Sequence, residues 1–145
     1  MCVWDTLQVS TAFGFDFDVY WTTSTNGGAT WNQTMMLNIS LTREQMLEDQ
    51  VWQQVPRVAG HKSAWMVVYE SENRLVETRS LDHGRTWSRP VQLIVDDPVA
   101  QLKNFVLVTD HAGGFFVSST KFQRGQRQVV FVRNTLSSSP FLCPT

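Results

Sequence analysis

Four charged residues have the types and positions that could serve a ligand. They are Arg57, Glu70, Arg74 and Lys103. Guanidinium and ammonium groups bind anionic groups, and a carboxylate can accept or donate a proton. All four lie at or near the ends of segments that the sequence predicts to be strands. A solvated surface charge is the alternative for each of them, and the sequence leaves both interpretations open.

The segments that must position these residues alternate between apolar and polar side chains. The alternation is rich in Val, Tyr, Phe, Trp and Thr and is interrupted by Gly, Asn, Asp and Ser, which is typical of β-strands. Strands are predicted at 18–24, 30–41, 63–70, 75–80, 86–95, 101–110, 113–121 and 128–134. Residues 42–50 are rich in helix formers and are predicted to be a loop or a short helix, with a strand resuming near 51–59. The chain is therefore predicted to be all-β.

One octet occurs twice in the chain. Residues 24–31 read STNGGATW and residues 80–87 read SLDHGRTW, so both follow the pattern Ser, any, Asn or Asp, any, Gly, any, Thr, Trp. The strands that precede the octets also align, and a third such strand ends at Asn134. This alignment makes NTLSSSPF, residues 134–141, a degenerate third copy, with steps of 56 and 54 residues between the copies. A repeat of about 50 residues is the sequence pattern of β-propeller blades.

The repeating unit is predicted to be a blade of four antiparallel strands, with the octet as the turn between the third and the fourth. The length of 145 residues is that of about one domain. We divide this single domain into a partial blade at 1–41, a blade at 51–95 and a degenerate blade at 101–145. The predicted fold is a partial β-propeller of two and a half to three blades.

Each fixed residue of the octet has a structural task. Gly28 and Gly84 can adopt a positive φ, which closes a tight turn. Asn26 and Asp82 can accept hydrogen bonds from backbone amides of the turn. The tryptophans can place their indoles on the sheet and anchor the turn. The predicted structural residues are Ser24, Asn26, Gly28, Thr30 and Trp31 in the first octet, and Ser80, Asp82, Gly84, Thr86 and Trp87 in the second.

The octet resembles the Asp-box, also called the bacterial neuraminidase repeat, of sialidase-like propellers. SLDHGRTW matches S-x-D-x-G-x-T-W at every fixed position, and STNGGATW departs from it only by Asn26. The resemblance covers about residues 18–141. It implies a propeller that is exported, and hence secreted, extracellular or lumenal, and that is related to enzymes acting on glycans. It also implies that the octets lie on the face opposite the active site and have no catalytic role.

The resemblance implies catalytic residues that cannot be placed on this chain. Sialidases of this family bind the carboxylate of sialic acid with three arginines, and they use a tyrosine paired with a glutamate as nucleophile and an aspartate as acid/base. The first arginine lies in an Arg-Ile-Pro-like motif, whereas Arg57 follows Pro56 instead of preceding a proline. Tyr69 and Glu70 are neighbours on one predicted strand, so their side chains are expected on opposite faces. No catalytic residue is therefore assigned.

Two functions remain open at this stage. The chain could be part of a sialidase-like glycoside hydrolase, with other blades supplying the arginines and the nucleophile. It could also belong to a non-catalytic binding module, a receptor of the sortilin kind or a glycan-binding protein. In either case Arg57 and Lys103, near the starts of innermost strands, are expected to face the central channel. A third possibility is that copies of a short protomer complete a ring, because open sheet edges pair readily.

Composition excludes several other functions. The chain is 42% hydrophobic and 17% charged with a net charge of −1, so it lacks the positive excess of proteins that bind nucleic acids or anionic membranes. No stretch of 18 apolar residues predicts a membrane span, and the opening MCVWDTLQVSTAFGF is more typical of a strand than of a signal peptide. No cofactor and no metal site are expected, because cysteines and histidines do not cluster.

Two further features concern covalent chemistry. Cys2 and Cys143 lie at opposite ends of the chain, and they are either a disulfide that ties the termini or two unrelated thiols. Asn32-Gln33-Thr34 and Asn38-Ile39-Ser40 are acceptor sequences for N-linked glycans. In a eukaryotic protein, these two sequences would favour a secretory route.

Overall fold

The computed structural model of the chain describes residues 1–10, 14–37, 53–71, 74–93, 101–110, 112–123 and 125–134. Every regular element in these residues is a β-strand, which confirms the all-β prediction. The strands are β1 (Cys2–Ser10), β2 (Gly14–Thr22), β3 (Met35–Met36), β4 (Gln53–His61), β5 (Ala64–Ser71), β6 (Arg74–Ser80), β7 (Val91–Gln92), β8 (Gln101–Thr109), β9 (Phe115–Gln123) and β10 (Gln126–Asn134). Within the same residues, no helix could cross a membrane.

The strands form three antiparallel sheets, each built from consecutive strands. The first sheet has the order β1-β2-β3, the second β4-β5-β6-β7 and the third β8-β9-β10. The first octet joins β2 to β3, and the second octet joins β6 to β7. In the second sheet the octet is therefore the turn between the third and fourth strands of a four-stranded unit. The predicted loop or helix at 42–50 and the degenerate octet after Asn134 lie outside the described residues.

The strands that leave the octets begin later than the sequence predicts. We predicted strands at 30–41 and 86–95, but within the described residues 30–37 and 86–93 only Met35–Met36 and Val91–Gln92 pair as strands. The Asn32 amide donates to the Thr23 carbonyl oxygen, and the Leu37 amide donates to the Val19 carbonyl oxygen. The two donors are five residues apart, whereas the two acceptors on or next to β2 are four residues apart. One extra residue interrupts the ladder, as in a β-bulge. The segment after the second octet has the same offset.

The second and third sheets share a bulge at one position of their innermost strands. The β4–β5 register shifts between Gln54 and Arg57, and the β8–β9 register shifts between Lys103 and Val106. At each shift one non-glycine residue has a positive φ, 55° at Val55 and 54° at Asn104. Few non-glycine residues adopt this conformation. Its recurrence indicates that the two sheets are copies of one structural unit.

Two hydrophobic cores lie between the sheets, and the central sheet contributes to both. Alternate residues of a strand point to opposite faces. On β5, Met66 and Val68 therefore pack with the third sheet, whereas Val67 and Tyr69 pack with the first sheet. The core between the first and second sheets contains Val19, Trp21, Leu37, Val67 and Tyr69. The core between the second and third sheets contains Ala64, Met66, Val68, Leu75, Phe105, Leu107, Phe115 and Val117.

The stack of sheets has two distinct ends. The second octet lies at the same end as the β4–β5 turn, because the His83 amide donates to the Ser63 carbonyl oxygen over 2.9 Å. The hairpin between β5 and β6, at Ser71 and Arg74, lies at the other end of the same strands. We call these the octet end and the opposite end. The blade boundaries 1–41, 51–95 and 101–145 stay a prediction.

Candidate functional site

The second octet is closed by hydrogen bonds among its own residues. The Ser80 hydroxyl donates to Asp82 Oδ1 over 2.7 Å and accepts a bond from the Gly84 amide over 2.8 Å. Asp82 Oδ1 also accepts the Thr86 amide over 2.9 Å, and Asp82 Oδ2 accepts the Thr86 hydroxyl over 2.6 Å. The carboxylate thus joins the two arms of the turn, and these groups are engaged within the protein.

The first octet repeats this arrangement with an asparagine. The Ser24 hydroxyl donates to Asn26 Oδ1 and accepts a bond from the Gly28 amide, over 2.9 and 2.8 Å. Asn26 Oδ1 accepts the Thr30 amide over 2.9 Å. The remaining contact is reversed, because Asn26 Nδ2 donates to the Thr30 hydroxyl over 2.8 Å. The threonine hydroxyl can donate or accept, so the turn accommodates either side chain.

Hydrogen bonding also sets the protonation of Asp82. The hydroxyl and amide of Thr86 and the hydroxyl of Ser80 hold the pKa of Asp82 far below its usual range. Donors that bind the charged form of a carboxylate stabilise that form. Asp82 is therefore ionised throughout the physiological pH range, and it has no proton to offer to a reaction.

The two octet glycines share a conformation but differ in their surroundings. The φ angles are 93° at Gly28 and 85° at Gly84. A Cβ atom at Gly28 would lie 3.7 Å from Trp31 Cζ2, which is ordinary contact. A Cβ atom at Gly84 would lie 2.6 Å from Met1 Cε and 3.2 Å from Trp21 Cζ3. The second octet is thus packed against the first sheet.

The two octet tryptophans also have different environments. Trp87 meets Trp21 of the first sheet edge to face, with 5.5 Å between ring centroids and 66° between planes. It therefore packs between the first and second sheets and belongs to the core there. Trp31 is 48% exposed. No described sheet packs on the outer side of the first octet, whereas the first sheet packs against the second octet. Trp31 is exposed and Trp87 is packed for this reason.

A groove of about 380 Å³ opens between the first and second sheets at the octet end. Trp21, Met35 and Leu37 line one side of it, and Arg85, Trp87 and Arg89 line the other. Trp87 Nε1 is buried and has no hydrogen-bond partner. In the described part of the chain, no group of His, Cys, Asp and Glu side chains could hold a metal ion. The described residues that line the groove offer two guanidinium groups and an indole but no acid or base.

At the opposite end, Arg57 and Glu70 share one face of the second sheet. Arg57 pairs with Val68, and Glu70 is two residues further along β5, so both face the third sheet. The Arg57 guanidinium lies over the ring of Phe105, 5.7 Å from its centroid. Its Nη1 also donates to the Pro56 carbonyl oxygen over 3.0 Å. Arg57 remains exposed, so the structure presents a cation held against an aromatic ring.

The other two candidates lie elsewhere at this end. Arg74 is exposed at the first position of β6, in register with Ser71. Lys103 lies on β8 in register with Thr120, next to the bulge of the third sheet. Thus Arg57 and Glu70 share one face of the second sheet. Arg74 lies at the start of β6 in the same sheet, and Lys103 belongs to the third sheet.

Tyr69 is separated from Glu70. It is 2% exposed and packs in the core between the first and second sheets, whereas Glu70 faces the third. A buried phenol on the other side of the sheet cannot act together with Glu70 on one substrate. Tyr69 and Glu70 therefore do not form a tyrosine–glutamate pair of the kind that sialidases use as nucleophile.

Sequence reasoning missed two residues that shape these ends. Phe105 is 4% exposed and supports Arg57 from the neighbouring sheet. Asp110 organises the β8–β9 turn, since its Oδ1 accepts the Ala112 and Gly114 amides over 2.8 and 2.7 Å. These bonds, chiefly that from Gly114, lower the pKa of Asp110. Asp110 lies three residues before the pair Gly113-Gly114, and this spacing was a turn signal that could have identified it.

Comparison with known proteins places this arrangement in a known architecture. A scan against models of protein families finds no match, and a search of curated proteins finds none. Among solved structures, the chain aligns with the Hadza microbial sialidase Hz136 at a TM-score of 0.55 and 18% sequence identity. The fold is that of part of a sialidase propeller. The alignment covers 81% of this chain but 29% of that sialidase.

The three antiparallel sheets correspond to about three blades of such a propeller. Typical propellers have four to eight blades around a central channel. Three sheets do not close such a ring. Arg57, Glu70, Arg74 and Lys103 lie away from the octets, at the end where the resemblance implied a ligand site. Their role in binding stays a prediction.

Proposed function

We propose that this chain is part of a sialidase-like glycoside hydrolase and is catalytically incomplete by itself. The alignment of 81% of the chain with a sialidase, together with the two octets, carries this proposal. The missing blades would supply the nucleophile, the acid/base and most of the carboxylate-binding arginines. The proposal includes a secreted, extracellular or lumenal location and sialylated or other glycans as ligands.

Arg57 and Glu70 are the groups through which this chain would contribute to ligand binding. The guanidinium of Arg57 is exposed and rests on Phe105, so it is presented to solvent by a rigid support. A planar guanidinium can bind a carboxylate through two parallel hydrogen bonds. Sialic acid has such a carboxylate. Glu70, on the same face of the sheet, would interact with hydroxyl groups of the sugar.

Binding of a methyl sialoside, followed by ligand-observed NMR, tests this role. Arg57→Ala should weaken binding about tenfold or more, because a charge-assisted hydrogen-bond donor is lost. Arg89→Ala is the matched control, since Arg89 is exposed but lies at the octet end. Equal losses in the two variants, or no binding by the unchanged chain, would contradict the proposal.

A hydrolysis assay tests whether the chain is catalytically incomplete by itself. The purified chain should not hydrolyse a fluorogenic sialoside, because no catalytic set can be placed on it and Tyr69 is buried. Circular dichroism must show that the inactive preparation is a folded β-protein before the absence of hydrolysis is interpreted. Robust hydrolysis by the chain would show that its residues suffice for catalysis.

A non-catalytic binding module is the second candidate, and the burial of Tyr69 favours it. At 2% exposure this tyrosine cannot be a nucleophile. A receptor of the sortilin kind or a glycan-binding protein would need the propeller surface but no acid, base or nucleophile. The rest of the polypeptide discriminates between the candidates: further arginine-bearing and tyrosine-bearing blades favour the hydrolase, and a cysteine-rich module favours the receptor.

Asn32 provides a separate test of location. It is exposed after the first octet, and its side-chain amide donates to the Thr23 hydroxyl over 2.7 Å. Asn38 and Cys143 lie outside the described residues, so a glycan on Asn38 stays a prediction, whereas Cys2 is a free, exposed cysteine in the structure. Expression through a eukaryotic secretory pathway should yield a glycan on Asn32, seen as a mass shift that glycosidase treatment removes. An unmodified secreted chain would contradict this expectation.

A further inference from the structure

The first octet contains a dipeptide that can react with itself. Asn26 is followed by Gly27, whereas every other asparagine of the chain precedes a residue with a side chain. The main-chain nitrogen after an asparagine can attack the carbon of the side-chain amide, and glycine hinders this attack least because it has no Cβ atom. The second octet has Asp82 and His83 at the same two positions. It therefore already contains the residue that the reaction would produce.

Asn26 and Gly27 are accessible in the turn. Both residues are exposed. The φ angle of Gly27 is 68°, and a Cβ atom there would meet no atom within 4 Å. His83, the counterpart of Gly27, is also exposed and has a φ of 62°, although its octet packs against the first sheet. The accessibility of this position is thus a property of the octet and does not depend on what lies beside it.

The hydrogen bonds of the turn leave the attacking nitrogen available. The Gly28 amide donates to Ser24 Oγ over 2.8 Å, and the Thr30 amide donates to Asn26 Oδ1 over 2.9 Å. Among the described residues, the Gly27 amide has no such acceptor. The Gly27 nitrogen can therefore lose its proton to solvent and form a new bond without breaking a hydrogen bond of the turn.

The same hydrogen bonds stabilise the charge that the attack generates. When a nitrogen adds to Cγ of Asn26, negative charge develops on Oδ1. The Ser24 hydroxyl and the Thr30 amide already donate to this oxygen, each over 2.9 Å. Donors that are fixed in place before a reaction stabilise the oxyanion that it forms. The leaving group, Asn26 Nδ2, is held by the Thr30 hydroxyl over 2.8 Å. The octet thus polarises the amide that reacts.

We propose that Asn26 is a site of spontaneous deamidation, which converts the first octet to the chemistry of the second. The Gly27 nitrogen bonds to Cγ of Asn26, and the bond between Cγ and Nδ2 breaks. Nδ2 leaves as ammonia, with the proton that the Gly27 nitrogen gives up. Water then adds to Cγ of the cyclic imide, the new bond to the Gly27 nitrogen breaks, and this nitrogen regains a proton. Asparagine and water are thereby converted to aspartic acid and ammonia, and the acid ionises.

The fold accommodates the product, because the second octet already uses it. Asp82 accepts hydrogen bonds from a serine hydroxyl and from the amide and hydroxyl of Thr86, over 2.7, 2.9 and 2.6 Å. Ser24 and Thr30 place the same groups around Asn26, and the Thr30 hydroxyl can donate where it now accepts. Water attack on the main-chain carbonyl of the imide would instead give isoaspartate, which lengthens the main chain within the turn. The aspartate product retains the turn and adds one negative charge.

Incubation of the purified, folded chain in mildly alkaline buffer tests the proposal. Peptide mass spectrometry should show that Asn26 converts before any other asparagine, and synthetic peptides identify aspartate and isoaspartate. The Asn26→Asp variant is the pure product, and its midpoint in urea should equal or exceed that of the unchanged chain. Earlier conversion of another asparagine, an unconverted Asn26 or a lowered midpoint of Asn26→Asp would overturn the proposal.

Gly27→His is the matched control for the attack. His83 shows that the turn accommodates a histidine at this position with a positive φ. The new side chain hinders the nitrogen, so conversion of Asn26 should slow about tenfold. Circular dichroism checks that this variant is folded. Conversion at an unchanged rate would show that the reaction does not proceed through the Gly27 nitrogen.

The second octet allows the reaction to be transplanted. Asp82→Asn combined with His83→Gly places the reactive dipeptide within the same hydrogen bonds, and residue 82 should then convert at a rate similar to that of Asn26. Asp82→Asn alone retains His83 and should stay unconverted over the same time. A double variant that does not convert would show that the octet does not support the reaction. Because no sialoside is involved, these outcomes are independent of the proposed function.

Discussion

The two octet glycines provide an internal experiment on what packing adds to a strained turn. Gly28 and Gly84 occupy the same octet position with φ of 93° and 85°. Replacing either by alanine forces a side chain into a left-handed conformation, which costs about 1–2 kcal/mol. The two sites differ in what the new methyl group meets, so comparing the two variants separates conformational strain from steric crowding.

The magnitude at each site follows from its surroundings. At Gly28 the nearest atom is 3.7 Å away, so Gly28→Ala should cost only the strain, about 1–2 kcal/mol. At Gly84 the methyl group would lie 3.2 Å from the Trp21 ring and 2.6 Å from Met1 Cε. The methionine end can move, but the indole is held by Trp87. We expect about 1 kcal/mol of added crowding and a total of about 2–3 kcal/mol.

Equilibrium unfolding in urea measures both costs. Both variants should retain the m-value of the unchanged chain, and their midpoints should rank with Gly84→Ala lowest. The difference of about 1 kcal/mol corresponds to about 4 °C in the thermal midpoint. If Gly28→Ala destabilises as much as Gly84→Ala, the packing of the second octet against the first sheet does not contribute as we infer. If neither variant is destabilised, the positive φ is not required.

Four further predictions concern the hydrogen bonds and the cores. Asp82→Asn should be tolerated better than Asp82→Ala in thermal unfolding, because Asn26 makes the equivalent bonds in the first octet; the reverse order would contradict the shared geometry. The pKa of Asp82 is lowered from 3.8, so its stabilising effect should be constant above about pH 5 and decline relative to Asp82→Asn as the pH falls below 3.8; a decline near neutral pH would be inconsistent with this. Gly60→Ala would place a Cβ in steric clash with the Trp65 ring and should cost about 1–3 kcal/mol with altered near-UV circular dichroism, whereas an unchanged spectrum would refute the clash. Phe105→Ala should cost about 3–5 kcal/mol in urea unfolding because Phe105 is 4% exposed, and a cost below 1 kcal/mol would show that it does not belong to the core.

Much of the fold follows from local patterns in the sequence. Alternating residues predicted most of the strands, and the repeated octet predicted that they are organised in similar units. Both signals depend on neighbouring residues: alternation reflects the two faces of a strand, and the turn depends on glycine and on short polar side chains. The predicted starts of the strands after the octets were wrong, because one extra residue interrupts their pairing with the strand before the octet.

The candidate site depended on contacts that no local pattern contains. Arg57 was identified from its charge and position, but its support by Phe105 comes from a different sheet. The burial of Tyr69 likewise results from packing with Val19 and Trp21, some 50 residues earlier in the chain. The exposure of the outer side of the third sheet could not be predicted from the sequence either. Val106 and Phe131 look like core residues, and only the arrangement of the sheets shows that they are exposed.

The sequence by itself determined the all-β class, the repeat and the chemistry of the octet turns, because hydrogen bonding and backbone conformation there are set within a few residues. Only the tertiary structure decided which side of each sheet is covered. Strand alternation defines two faces, but what each face meets depends on the neighbouring sheet. For this reason Trp87 is packed against a core whereas Trp31 is exposed. Two turns with the same local pattern therefore contribute differently to stability.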